Sequence, residues 1–303
     1  MLCNANNLNM GRIMFHKNLI PNVDPEGLNE LTFLSLKDGK ELEYLIDTTD
    51  QGHVSTGAFF NLVELVIEKM NGLKMLCNGP FPKGFLQKLE KLETRNCMEL
   101  ISLSPASQNL NEVRVIGCVE LQEVFQTDEL LHDLEENQAP LLSNLTSLEL
   151  KSLPELKWIW KGPSNYVCLQ SLKVAEISHC HRLKYLFSPS LSQSLVLLEQ
   201  LKIEYCDGLE HITTELEIDD NIESDGSYLH PPLLPKLTSL QIHFCPRLKY
   251  VFQIPSAHIL PQLKSVSISN SLQLEHVFNV VKVNNGVDRA FALPRYKICN
   301  FKI

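Results

Sequence analysis

Cysteines, histidines, carboxylates and a set of basic–aromatic pairs are the residues of this chain that could do chemistry. Its nine cysteines include no CxxC pair, so neither a zinc ribbon nor a dithiol redox motif can be built from neighbours. An odd number of cysteines without that spacing points to free thiols and a reducing, intracellular, cytoplasmic setting. His179-Cys180-His181 would need its side chains to converge on a tetrahedron to hold zinc, and the spacing fits no structural zinc site. Residues 215–225 carry Glu215, Glu217, Asp219, Asp220, Glu223 and Asp225 and no base. NIESDG starts at Asn221 in the manner of a calcium loop, but Pro232 stands where the closing glutamate belongs, so the run reads as an acidic insertion. No GxSxG, no HExxH and no glycine-rich phosphate cradle occurs. The expectation is a chain without catalytic residues, metal ligands or a cofactor.

The basic–aromatic pairs suit binding better. Lys157-Trp158, Lys184-Tyr185 and Lys249-Tyr250 recur in one register, with Arg182 and Arg247 two residues before the last two lysines. Aromatics beside Arg and Lys fit an acidic protein surface. The plainer reading is that the rings cover a core while the basic stems lie over apolar surface.

That recurrence belongs to a longer one. The pattern L-x-x-L-x-h-x-x-C-x-x-L-x-x-h-F, with h apolar, is clearest in LTSLQIHFCPRLKYVF from Leu237. Copies start at Leu31, Leu62, Leu89, Leu110, Leu145, Leu172, Leu198, Leu237, Leu263 and Leu293. Most steps match or approach the roughly 20–29 residues of a leucine-rich repeat. The alternation L-x-h has period two and predicts a short strand with one apolar face, which a single copy cannot bury. The implied fold is an α/β leucine-rich-repeat solenoid: a parallel concave sheet of about ten short strands, and a convex side mostly of loops and short helices. Residues 1–27 are expected to be a lead-in and partial cap, through Ile13, Met14, Phe15, Leu19 and Ile20. Residues 28–303 form the repeat domain, with the last copy cut short and its apolar edge prone to association.

Two columns follow. Cys97, Cys118, Cys180, Cys206 and Cys245 share the slot three residues past the second strand apolar, where Met70, Leu153 and Ser271 stand in other copies. Phe125, Trp160, Phe187, Phe252 and Phe278, with Ile46 and Cys77, should stack as an apolar spine. Short helices are predicted at 127–137 and from Ser190. Strand residues alternating with the apolar pair should face outward and offer a protein-binding surface. They include Lys37; Glu64 and Glu68; Lys91, Glu93 and Arg95; Glu112 and Arg114; Glu149 and Lys151; Glu176; Lys202 and Glu204; Gln241 and His243. The early half is charged in both signs and the late half is hydroxyl-rich.

Composition narrows the classes. Apolar residues are 44% and charged residues 21%, a globular balance. A formal charge of −9 argues against gripping nucleic acid through its phosphates. No apolar run reaches the 18 or so residues of a membrane helix.

The segments LPELKWIWKGPS (153–164), CHRLKYLFSPSLSQSLVLLEQLKIEYCDGLEHI (180–212) and LPKLTSLQIHFCPRLKYVF (235–252) resemble the repeats of plant intracellular disease-resistance receptors. The nearest type is the coiled-coil nucleotide-binding class, and the resemblance covers about 28–303. It implies a non-enzymatic protein-recognition module that senses a pathogen effector or a guarded host protein and restrains a nucleotide-binding switch. No G-x-x-x-x-G-K-[ST] loop occurs in this chain, so nucleotide binding is not carried over. A constitutive repeat scaffold or adaptor without a switching role is the alternative.

Overall fold

The structure is a computed structural model. It describes residues 6–12, 17–20, 28, 30–49, 59–82, 84–103, 107–126, 140–161, 167–213, 234–254, 260–280 and 298–302. In chain order the strands are β1 (Asn7–Gly11), β2 (Asn18–Ile20), β3 (Phe33–Lys37), β4 (Tyr44–Asp47), β5 (Glu64–Glu68), β6 (Met75–Asn78), β7 (Lys91–Arg95), β8 (Glu112–Ile116) and β9 (Glu123–Gln126). They continue with β10 (Ser147–Lys151), β11 (Trp158–Lys161), β12 (Val174–Ser178), β13 (Gln200–Glu204), β14 (Ser239–His243), β15 (Tyr250–Ile254), β16 (Ser265–Ser269), β17 (His276–Val280) and β18 (Ile298–Lys302).

The predicted strands join into one parallel 11-stranded sheet in the order β1-β3-β5-β7-β8-β10-β12-β13-β14-β16-β18. Strands β3 to β16 of this sheet are the expected strand segments of successive repeats, and each lies beside the next in sequence, as a solenoid requires. Leu65 and Ile67, Val113 and Val115, Leu148 and Leu150, and Leu240 and Ile242 are fully buried. Their alternating neighbours are half-buried on the other face.

The sheet begins earlier than the copy at Leu31. β1 lies within the segment expected to be a lead-in, and it pairs in register with β3, Leu8 against Leu34 and Met10 against Leu36. It went unread because Leu8 and Met10 alone do not complete the pattern. Of the expected cap residues, Leu19 and Ile20 are buried, while Ile13, Met14 and Phe15 lie outside the described residues. The final strand is Ile298–Lys302, and its register against β16 shifts between Val266 and Ile268.

The convex side holds strands as well as loops. β2, β4 and β6 form a three-stranded sheet, and β9 pairs with β11 and β15 with β17. Two adjacent apolar residues stand within each; Leu45-Ile46 and Ile159-Trp160 are buried. Two neighbours show no alternation, so period two cannot reveal such a strand. The spine column runs through these strands. Phe125 stacks on Trp160 at 5.6 Å and Trp160 on Phe187 at 6.1 Å, and the Trp160 indole donates to the Leu186 carbonyl at 2.7 Å. The helix expected from Ser190 is α1 (Pro189–Ser194), with Ser188 as N-cap accepting from the Leu191 amide. The helix expected at 127–137 and the acidic run at 215–225 lie outside the described residues.

After each long strand the chain turns through a left-handed residue. Asp38, Lys69, Asn96, Ser152, His179, Tyr205, Phe244 and Asn270 have φ between 52° and 56°. Glycine, for which this conformation is unstrained, takes the place once, at Gly117. The turn is imposed from outside, because the amides of Asp38, Lys69, Asn96, Gly117, Ser152, His179, Tyr205 and Phe244 still bond to the next strand: Ser152 to the Ser178 carbonyl at 2.9 Å, His179 to that of Glu204 at 3.0 Å.

The next residue is the cysteine column. All five cysteines are fully buried free thiols. Each donates to the carbonyl two residues back, at the end of its own strand: Cys97 to Arg95 at 3.5 Å, Cys118 to Ile116 at 3.7 Å, Cys180 to Ser178 at 3.5 Å, Cys206 to Glu204 at 3.4 Å and Cys245 to His243 at 3.6 Å. A small, soft, weakly donating side chain fits this slot. The Cys206 thiol is pushed above its ordinary range by the Cys180 thiol beside it and by burial, and Cys245 in the same way by Cys206 and burial.

Two measurements check this account. An aromatic disulfide reagent should leave the five column thiols untouched in the native protein and reach the half-exposed Cys168 first; release of all five before unfolding would contradict the buried column. Ser152→Gly should raise the denaturant midpoint by the equivalent of about 1 kcal/mol, because it removes left-handed strain from an exposed side chain.

Candidate functional site

The outward face of the long sheet is laid out by its parallel register. One row runs Glu93, Arg114, Glu149, Glu176, Lys202, Gln241 and Ser267 across successive strands. Residues of opposite sign therefore meet at the interstrand spacing of roughly 4.8 Å.

The structure brings most of the predicted face residues together in ion pairs. Lys37 reaches Glu68 at 3.3 Å and Lys91 reaches Glu112 at 4.0 Å. Glu93 takes both Arg95 and Arg114, the latter at 3.4 Å. Arg114 also binds Glu112 at 3.5 Å and Glu149 at 2.5 Å. Lys151 binds Glu149 at 2.5 Å and Glu176 at 3.1 Å. One network thus links four strands, β7, β8, β10 and β12. Lys202 pairs with Glu204 on its own strand at 3.0 Å. Glu64 lies in register between Phe33 and Lys91. At the hydroxyl-rich end, His243 Nδ1 meets the Ser269 hydroxyl at 2.7 Å, and its Nε2 lies 3.4 Å from that of Ser267; Gln241 stands between Lys202 and Ser267.

Glu149 is the centre of the network. Partial burial raises its pKa, but the bonds from Lys151 and Arg114 outweigh that and hold it below the ordinary value near 4.5. Lys151 is raised by its bond to Glu149, against the opposing effect of burial. The face is thus largely self-neutralised.

The basic–aromatic strip is differently arranged. Lys157 donates to the Gln122 side chain at 3.0 Å and lies 5.9 Å from the centre of the Trp158 ring, as does Lys161. Arg182 reaches Glu155 at 2.7 Å and Lys249 reaches Glu210 at 3.9 Å. Lys184 and Arg247 are exposed, and Trp158, Tyr185 and Tyr250 are half-buried. His211 continues the aromatic register and stacks on Tyr250 at 4.4 Å.

His179 and His181 lie edge to face at 6.4 Å, while Cys180 points away from both. The Cys180 thiol is turned inward, His179 stacks on Tyr205 at 4.6 Å, and His181 pairs with Asp207 at 3.1 Å. Among the described residues no group of three or more His, Cys, Asp or Glu is placed to hold a metal ion.

The sequence reading missed a feature beside this site. His179, Tyr205 and Phe244 occupy the left-handed bend of three successive repeats and stack face to face, Tyr205 on Phe244 at 4.6 Å and 8°. The signal was present as an aromatic directly before the column cysteine in HC, YC and FC.

Residues 108–207 match the family of plant disease resistance protein RPS2-like leucine-rich repeats. A probable disease resistance protein of Arabidopsis thaliana is 31% identical over an alignment of 154 residues that covers 48% of this chain and 16% of that protein. A solved structure of a leucine-rich repeat protein from Bacteroides ovatus is similar over 80% of this chain and 60% of its own, at 12% identity and a TM-score of 0.30.

The network predicts an acid response. Glu149 has a depressed pKa, so its contribution is complete above about pH 4.5 and fades as the pH falls through the folded value. Glu149→Gln should cost about 1 kcal/mol at neutral pH, discounted for partial exposure, and should flatten the stability profile on the acid side. An acid-side profile unchanged in the variant would mean that the pairs carry no net energy.

Proposed function

These are leucine-rich repeats of the plant disease-resistance type, and from that premise we propose that the chain is a non-enzymatic recognition and regulatory module of plant immunity. It acts in the cytoplasm and senses a pathogen effector or a guarded host protein. The observation that carries this reading is the 11-stranded face, where one side chain in two is committed to the core and the other is free of packing duty. A surface of this extent, charged at one end and hydroxyl-rich at the other, can be matched by a protein and by little else.

Satisfied ion pairs bear on the mechanism. A partner that displaces the bond between Arg114 and Glu149 has to replace it, so the network selects among partners more than it adds affinity. Binding becomes a signal when the repeats hold a nucleotide-binding switch domain differently with and without the partner. Moving such a switch from almost fully off to almost fully on takes a differential affinity of about 5.5 kcal/mol.

Proximity labelling in leaves tests the reading. A biotin ligase fused to the chain should mark a set of proteins that changes on pathogen challenge. The same set before and after challenge would favour a constitutive scaffold.

A further inference from the structure

Among the described residues nine large apolar side chains are exposed, and five of them recur at one place in the repeat, while Phe60, Ile101, Val196 and Leu197 lie elsewhere. Met98, Val119, Tyr205, Phe244 and Leu272 each lie within three residues past the end of a long strand, and so share one rim of the solenoid. Its most ordered part is the ladder His179–Tyr205–Phe244, in the copies that start at Leu172, Leu198 and Leu237. Tyr205 is 40% and Phe244 41% exposed.

The fold does not ask for aromatics there. Asp38, Lys69, Asn96, Ser152 and Asn270 make the same bend, and so does Gly117. The bend itself belongs to every such repeat, so what these three copies add is the exposed rings, and large apolar groups stacked on a surface point to a use.

The chemistry of the occupant can be read from the rings and their surroundings. Stacked face to face, the rungs turn their edges outward. Ring edges carry the positive part of the quadrupole, and the faces that would attract a cation are largely taken by neighbouring rings. Three and five residues beyond the rungs stand Arg182, Lys184, Arg247 and Lys249; Arg182 is paired with Glu155 and Lys249 with Glu210, Asp207 pairs with His181, and Lys184 and Arg247 are exposed. This rim is therefore net basic in a chain whose formal charge is −9.

We propose that the rim of these three repeats docks an acidic protein segment carrying an aromatic or large apolar anchor. The anchor packs against the ladder and the carboxylates meet the ring edges, Lys184 and Arg247. This rests on the recognition role proposed above and deepens it by giving the surface and the chemistry of the partner.

The test uses the whole chain and four labelled twelve-residue peptides: glutamate-rich with two tryptophans, the same with alanines for the tryptophans, lysine-rich with two tryptophans, and glycine–serine with two tryptophans. Fluorescence anisotropy should rank the first tightest by about tenfold or more, and Tyr205→Ser with Phe244→Ser should weaken it by about tenfold or more. Serine already serves the same bend at position 152, so circular dichroism should show an intact fold in the double variant. Val196→Ser, at an exposed apolar residue before a strand rather than after one, should leave the affinity unchanged. Equal binding of the lysine peptide, or undiminished binding by a folded double variant, would overturn the proposal. In leaves, a challenge-dependent partner set that survives the double variant would remove the rim from recognition and leave recognition standing. A set indifferent to challenge would sink the immune role whatever the peptides do.

Discussion

One repeat cannot bury its own apolar strand face, and the rest of the structure follows from that constraint. Leu65 and Ile67 have no core within their own repeat; they acquire one from the repeats on either side, and those from theirs. The strands must therefore be parallel, in register and sequential. Once they are, every position of the repeat becomes a column, and a residue type that serves one turn serves its neighbours. The buried cysteines show this. A thiol that satisfies a strand-end carbonyl in one repeat finds another thiol beside it, and that stacking, with burial, pushes Cys206 and Cys245 away from ionisation.

The same register that builds the core organises what faces outward, with different results on the sheet and on its rim. On the sheet, parallel rows bring opposite charges together, so Glu93, Arg114, Glu149 and Lys151 spend their charge on one another. On the rim, the rows bring rings together at Tyr205 and Phe244, and these remain exposed. The rim thus keeps apolar surface unspent where the sheet is saturated.

The fold was legible because a leucine pattern repeated down the chain is a statement about stacking, which needs no knowledge of contacts. The cysteine slot and the spine were legible for the same reason. The left-handed bends were not, since Asp38, Lys69, His179 and Phe244 share no chemistry; their conformation comes from the bond each amide makes to the next strand. The convex strands were hidden by the lack of alternation in pairs such as Leu76-Cys77. On the face, residue types were readable and partners were not. Arg114 has several acids within reach of its register, and its shortest contact, to Glu149, lies 35 residues away, across an insertion between two repeats. The aromatic ladder was overlooked because His179 was weighed as a ligand with its neighbours in sequence, when its true neighbour is Tyr205 in the next turn.

The spine has an optical consequence. The chain's two tryptophans are Trp158 and Trp160, both on one convex strand, and Trp160 is sandwiched between Phe125 and Phe187. Intrinsic tryptophan emission therefore watches the middle of the solenoid and is blind to its ends. A chain whose turns touch only their neighbours can fray from either terminus. Backbone dichroism would register such fraying while the indole signal stayed native, and the gap between the two curves would measure how far along the stack the melting has travelled.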